Sequence, residues 1–172
     1  MKMQNKETYP ELVNLVRGTI ITACINLEII IDLYISERFA DTNEKINELS
    51  SLIITPRVTW KEKLNVLKIL MKKYHPKFAE DKKEVFSNIN NIIEHRNVFA
   101  HYPINLSEKA IEIYNKEGKI IFTKVRASFD EKDKIIKHGS LPYYTNEIIN
   151  EIITSCNYCI KEIKALSRIV KK

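Results

Sequence analysis

Residues 81–103 read DKKEVFSNINNIIEHRNVFAHYP, and this stretch decides the fold. Val85, Ile89, Ile92 and Phe99 recur at the spacing of one helix face. Tyr102-Pro103 supplies the stop, because proline lacks an N–H and pushes the residue before it out of helical geometry. A helix over about 81–101 follows. The stripe has one irregularity: position 96, where another apolar residue is due, holds Arg96. A guanidinium keeps its charge, so on a core stripe it needs an anion close by. Asn90, Glu94, Asn97 and His101 form a polar edge beside it. Arg96 and His101 are five residues apart, about 140° around a regular helix, so one helix does not aim both at one point unless its last turn loosens.

Outward from this helix the chain keeps helical periodicity. From about 11 to 39, Leu12, Val16, Ile20, Ala23, Leu27, Ile30 and Tyr34 step by three and four. A second face carries Ile21, Ile25, Glu28, Asp32, Ile35 and Phe39. A helix apolar on two sides needs cover on both, as the centre of a bundle or at a subunit interface. A short helix is expected over 44–52, with Pro56 breaking the chain. Thr59-Trp60-Lys61-Glu62 is a capping box opening a helix on Trp60, Leu64, Leu67 and Met71, which His75-Pro76 ends. Residues 110–127 then alternate around Asn115-Lys116-Glu117-Gly118 and predict a hairpin, with glycine where positive φ is needed. A charged loop over 130–138 follows. Thr145 caps a last helix on Ile149, Ile152, Cys156, Cys159, Ile163 and Leu166, running to about 170. The expected fold is all-α: one domain over 1–172, an antiparallel helical bundle with a small β-hairpin inserted before the last helix.

Composition removes several function classes. The chain has 172 residues and only three glycines, Gly18, Gly118 and Gly139, too far apart for a dinucleotide-binding or P-loop phosphate cradle. Lys and Arg number 28 against 22 Asp and Glu, a net charge of +6 that permits a polyanionic partner without requiring one. No signal peptide is read at the N-terminus. The apolar run over 18–35 is interrupted by Asn26, Glu28 and Asp32, so a soluble core helix is expected rather than a membrane anchor. Cys24, Cys156 and Cys159 are an odd number and suit reduced thiols in a cytoplasm. Cys156 and Cys159 are formally C-x-x-C, yet they sit on a helix stripe with no second ligand pair, which reads as packing. Glu28 and Asp32 lack the companions a metal site needs.

Two helices like 81–101 meeting across a twofold axis would place two arginines and two histidines around one cleft. Such a cleft suits phosphodiester chemistry on RNA. Histidine moves protons near neutral pH, arginine stabilises charge growing on phosphorus oxygens, and the 2′-hydroxyl is the nucleophile, so no metal or cofactor is required.

The segment RNVFAH, Arg96 to His101, resembles the R-x4-6-H motif of HEPN domains, including the polar residue after the arginine. The acidic first helix (Glu28, Asp32, then Phe39) and the Thr59-Trp60-x-x-Lys63 helix start resemble one branch of that superfamily. The resemblance implies a helical bundle, usually dimeric, often a metal-independent endoribonuclease leaving 2′,3′-cyclic phosphate ends and serving as a toxin or in phage defence. Other members only bind. On this reading Arg96 clamps phosphate, His101 transfers the proton and Asn97 orients. RNA, a second copy across the Arg96–His101 helix and a protein antitoxin are the expected partners. Two readings stay open for Arg96: the catalytic one, and an ion pair with Glu28 or Asp32 of the first helix. Tyr102 is either a substrate contact or packing. His95 is expected to face away from Asn97, and His75 and His138 to be a helix terminator and a loop residue. The lysines at 61, 63, 68, 72, 73 and 77 are either a track for an RNA backbone or a solvated face. The alternative function is a non-catalytic binding or interaction module in a defence or toxin–antitoxin system.

Overall fold

A computed structural model describes residues 8–123, 128–130, 135–137 and 143–167, with only the backbone of the segments 128–130 and 135–137. Eight α-helices are described: α1 (Tyr9–Ser36), α2 (Asn43–Glu48), α3 (Thr55–Arg57), α4 (Trp60–Tyr74), α5 (Pro76–Asp81), α6 (Lys83–His101), α7 (Glu108–Glu117) and α8 (Asn146–Lys164). The short strands β1 (Ile120–Ile121), β2 (Ser128–Asp130), β3 (Ile135–Lys137) and β4 (Tyr143–Tyr144) all precede α8. The fold is all-α with a small hairpin before the last helix, as the periodicity predicts.

The predicted helix starts and stops hold where side chains supply missing hydrogen bonds. Thr59 and Glu62 cap α4 reciprocally: the Thr59 amide donates to Glu62 Oε2 at 2.8 Å and the Glu62 amide to Thr59 Oγ1 at 3.4 Å. His75 ends α4, and Thr145 accepts from the Ile148 amide at 3.4 Å at the start of α8. Helix α8 closes at Lys164, before the expected 170, which lies outside the described residues.

Three expectations are corrected. Residues 110–114, read as the first arm of a hairpin, lie within α7. Ser107 caps it by accepting from the Ala110 amide at 3.3 Å, and Gly118 ends it in the left-handed region at φ 64°. The hairpin is β2–β3, with Ser128 opposite Lys137 and Asp130 opposite Ile135, in the stretch read as a charged loop; His138 and Pro142 lie outside the described residues. Strand β1 pairs with β4 instead, Ile120 opposite Tyr144. Pro56 does not break the chain. A π-helical turn (Leu49–Ile54) widens the helix ahead of it, and the break falls at Val58. Pro76 opens α5, which periodicity did not reveal, since proline's fixed φ suits a first helical position.

The chain divides into two compact units: Met1–Ile21 with Arg96–Glu151, and Thr22–His95 with Ile152–Lys172. The first packs Phe99, Phe122 and Tyr144 as an aromatic trio, with ring centroids 4.6–5.7 Å apart, alongside buried Val13, Ile20, Ala110 and Ile120. The second is a helical bundle, burying Leu27, Ile31, Tyr34 and Ile35 of α1 with Leu64, Leu67 and Met71 of α4, Val85, Ile89 and Ile92 of α6, and Ile152, Cys156, Cys159 and Ile163 of α8. The second apolar face of α1 is only partly covered: Ile35 is buried, while Ile25 stays 48% exposed, with neighbouring Ile29 at 47%. By length and composition α1 is the one described helix that could cross a membrane.

Candidate functional site

Helix α6 places its stripe as expected: Val85, Ile89, Ile92 and Phe99 are buried. Arg96 lies at the edge of that stripe, half-buried. Nη1 stands 3.3 Å from His101 Nε2 and 3.4 Å from Asn97 Oδ1. All three residues belong to the first unit, and Asn97 and His101 are exposed. The expected obstacle, 140° of separation, is overcome without loosening the helix. The Tyr102 amide still reaches back to the Val98 carbonyl at 2.9 Å, so the last turn remains α-helical. The length of the arginine side chain spans the angle.

The direction of this hydrogen bond has a chemical consequence. A guanidinium has donors only, so in this contact Nε2 of His101 is the acceptor. One chain thus presents a cation, a proton-accepting ring and an amide oxygen within one contact network at a solvent-facing helix end. These groups suit binding of an oxyanion and transfer of one proton.

The chain leaving the helix is held at several points. The Thr123 amide donates to the Pro103 carbonyl at 2.8 Å and the Asn105 amide to the Ile121 carbonyl at 3.0 Å, with a bridge between Ile104 and Phe122. Arg17 of α1, which the sequence did not single out, donates from Nη2 to the Tyr102 carbonyl at 2.6 Å. Tyr102 is half-buried. Its hydroxyl adds to the burial that pushes the Tyr144 phenol up to about 12.

Glu28 and Asp32 take a different partner from the arginine expected. Both belong to the second unit, where Lys63 Nζ donates to Glu28 Oε1 at 2.6 Å and to Asp32 Oδ2 at 2.8 Å, and Thr55 Oγ1 adds a bond to Asp32 Oδ2 at 2.8 Å. Lys63 and Asp32 are each 1% exposed along their side chains, so this lysine belongs to the core and not to a track for RNA. Burial raises the Asp32 carboxyl above its ordinary value, opposed by the hydrogen bonds from Lys63 and Thr55. The signal was present in the sequence: Lys63 falls on the same three-and-four spacing as Trp60, Leu67 and Leu70. Lys61, Lys72, Lys73 and Lys77 are exposed and Lys68 is half-buried.

The remaining candidates serve packing. Cys24, Cys156 and Cys159 are buried thiols; Cys159 donates to the Val85 carbonyl at 3.7 Å, and burial pushes it up to about 12. His75 meets Arg38 Nη2 at 3.2 Å through Nε2. His95 is half-buried and desolvation lowers its pKa below the ordinary histidine value. Set against known proteins, the chain matches no family model, no curated protein and no solved structure.

Proposed function

We propose that the chain is a metal-independent endoribonuclease of HEPN type, working as a homodimer in the cytoplasm on RNA, in a toxin or phage-defence setting. The observation that supports this reading is the 3.3 Å approach of Arg96 Nη1 to His101 Nε2, with Asn97 Oδ1 beside it, at an exposed helix end. At rest the guanidinium occupies the lone pair of the base. A phosphodiester oxygen, being anionic, is a stronger partner for Arg96 than a neutral ring. When phosphate draws the guanidinium away, Nε2 is freed to take the 2′-hydroxyl proton. The 2′-oxygen then bonds to phosphorus, the bond from phosphorus to the 5′-oxygen breaks, and the 5′-oxygen receives a proton from the His101 of the second copy, which takes that proton from water once its own Arg96 has turned to the phosphate. Arg96 offsets the negative charge that grows on the non-bridging oxygens.

Purified protein is expected to cut single-stranded RNA in EDTA, leave 2′,3′-cyclic phosphate ends, and spare the DNA of the same sequence. His101→Ala should lower cleavage by about 10²–10⁴-fold while circular dichroism stays unchanged. Cleavage at wild-type rate in that variant would end the assignment. The non-catalytic alternative draws on a different observation, the exposed apolar residues Ile25 and Ile29 of α1, which suit a protein partner such as an antitoxin. Expression separates the two: wild type as harmless to cells as the Arg96→Ala, His101→Ala double variant favours the binding module.

A further inference from the structure

Among the described residues of the first unit, Arg17 is the other arginine with a defined contact at the end of the motif helix. Its Nη2 donates to the Tyr102 carbonyl at 2.6 Å, and its guanidinium carbon lies 5.6 Å from the centroid of the Phe122 ring. The acceptor matters because of where it falls. The last carbonyls of a helix have no partner within it, and the negative end of the helix dipole gathers there. Tyr102 directly follows His101, so the bond from Arg17 is made at the peptide that carries the histidine's own turn onward. Phe122, under the guanidinium, is the residue bridged to Ile104 just past the helix. Arg17 therefore joins α1, the end of α6 and the β1 segment at one point.

Arg17 is not an economical choice for packing alone. Its Nε is buried without a hydrogen-bond partner, which a methionine of similar length would avoid. His101 is exposed, so no surrounding wall sets its ring position; the backbone of the last turn does. We infer that Arg17 is a positioning residue for the Arg96–His101 site: by holding the Tyr102 carbonyl it fixes the final turn of α6 and with it the approach of the imidazole to Arg96. Its effect on activity rests on the ribonuclease reading; its effect on the histidine ring does not.

The test uses Arg17→Met and Arg17→Lys in the full chain, with two readouts. In ring-nitrogen NMR of His101, Arg17→Met is expected to move the ring signals and reduce the share of the form protonated on Nδ1. Arg17→Lys, which keeps the charge and a donor but lacks the guanidinium held 5.6 Å from the Phe122 ring centroid, should restore part of that share. In RNA cleavage, Arg17→Met should lower kcat by about tenfold or more with KM little changed, because a displaced proton acceptor slows the chemical step. Unchanged His101 ring signals in folded Arg17→Met would overturn the proposal. Should wild type cut no RNA, the ribonuclease reading falls, and the ring signals still decide the role of Arg17. If Arg17→Met does not fold, Arg17→Leu, which also removes the donor to the Tyr102 carbonyl, takes its place, and unchanged His101 ring signals in that folded variant overturn the proposal.

Discussion

Three cations define the residue scale, and each is treated differently by its surroundings. Arg96 sits half-buried at the helix edge, in contact with exposed Asn97 and His101. Arg17 is held by one carbonyl and one ring. Lys63 is enclosed by two carboxylates, one of which, Asp32, also accepts from the Thr55 hydroxyl. Removing one member of a buried ion pair leaves an uncompensated charge, which costs about 3–5 kcal/mol. Lys63→Met should therefore destabilise the protein by about that amount in urea unfolding at neutral pH. The sign of its pH dependence follows from Asp32. The carboxyl is already raised by burial, and losing Lys63 removes the bonds that hold it down. Its folded value then lies further above the unfolded one, so the penalty is full above the folded value and fades as pH falls through it. The gap between variant and wild type should narrow as pH falls from 7 toward the ordinary aspartate value of about 3.9; a constant gap would contradict this account. Arg96 and Lys63 also show what a sequence can reveal at this scale. Arg96 was legible because arginine interrupts an apolar stripe. Lys63 obeys the same rule, but five other lysines between positions 61 and 77 hid it among solvated ones. Arg17 stands between Val13, Val16 and Ile20 on the inner side of α1, with no motif to mark it.

At the scale of elements, the long helices were readable because their apolar residues repeat over many turns. The segment 110–114 was misread because Ala110, Ile111, Ile113 and Tyr114 fit both periods over so short a span. The deciding features lie at the ends of α7, Ser107 and Gly118, which serve a helix as cap and stop. Gly118 was correctly read as needing positive φ, and only the element that needed it was wrong. Gly118→Ala isolates the backbone term, since an added Cβ there meets no atom within 4 Å. The expected loss is about 1 kcal/mol, with Gly118→Asn milder because asparagine tolerates the left-handed region. Thermal unfolding of the two variants measures it, and an alanine variant as stable as wild type would show that α7 ends differently in solution.

For the whole molecule, the modest charge of +6 decides little, and the number of histidines at the site decides more. Transesterification needs two proton transfers, one from the 2′-hydroxyl and one to the departing 5′-oxygen. One chain offers a single His101 in contact with Arg96. If each cleft draws one histidine from each of two copies, a dimer containing one His101→Ala chain lacks one of the two transfers. Activity after random exchange of wild-type and His101→Ala chains should then follow the square of the wild-type fraction, about one quarter at equal mixing. If each chain works alone, the dependence is linear, about one half at equal mixing. Exchange must be complete before assay, which coexpression of differently tagged chains and isolation of the mixed dimer can establish. An isolated mixed dimer with half the wild-type rate would reject the shared cleft while leaving His101 as the proton acceptor. A mixed dimer near zero would tie the chemistry to the assembly, because the intact Arg96–His101 pair of its wild-type chain would then be insufficient by itself.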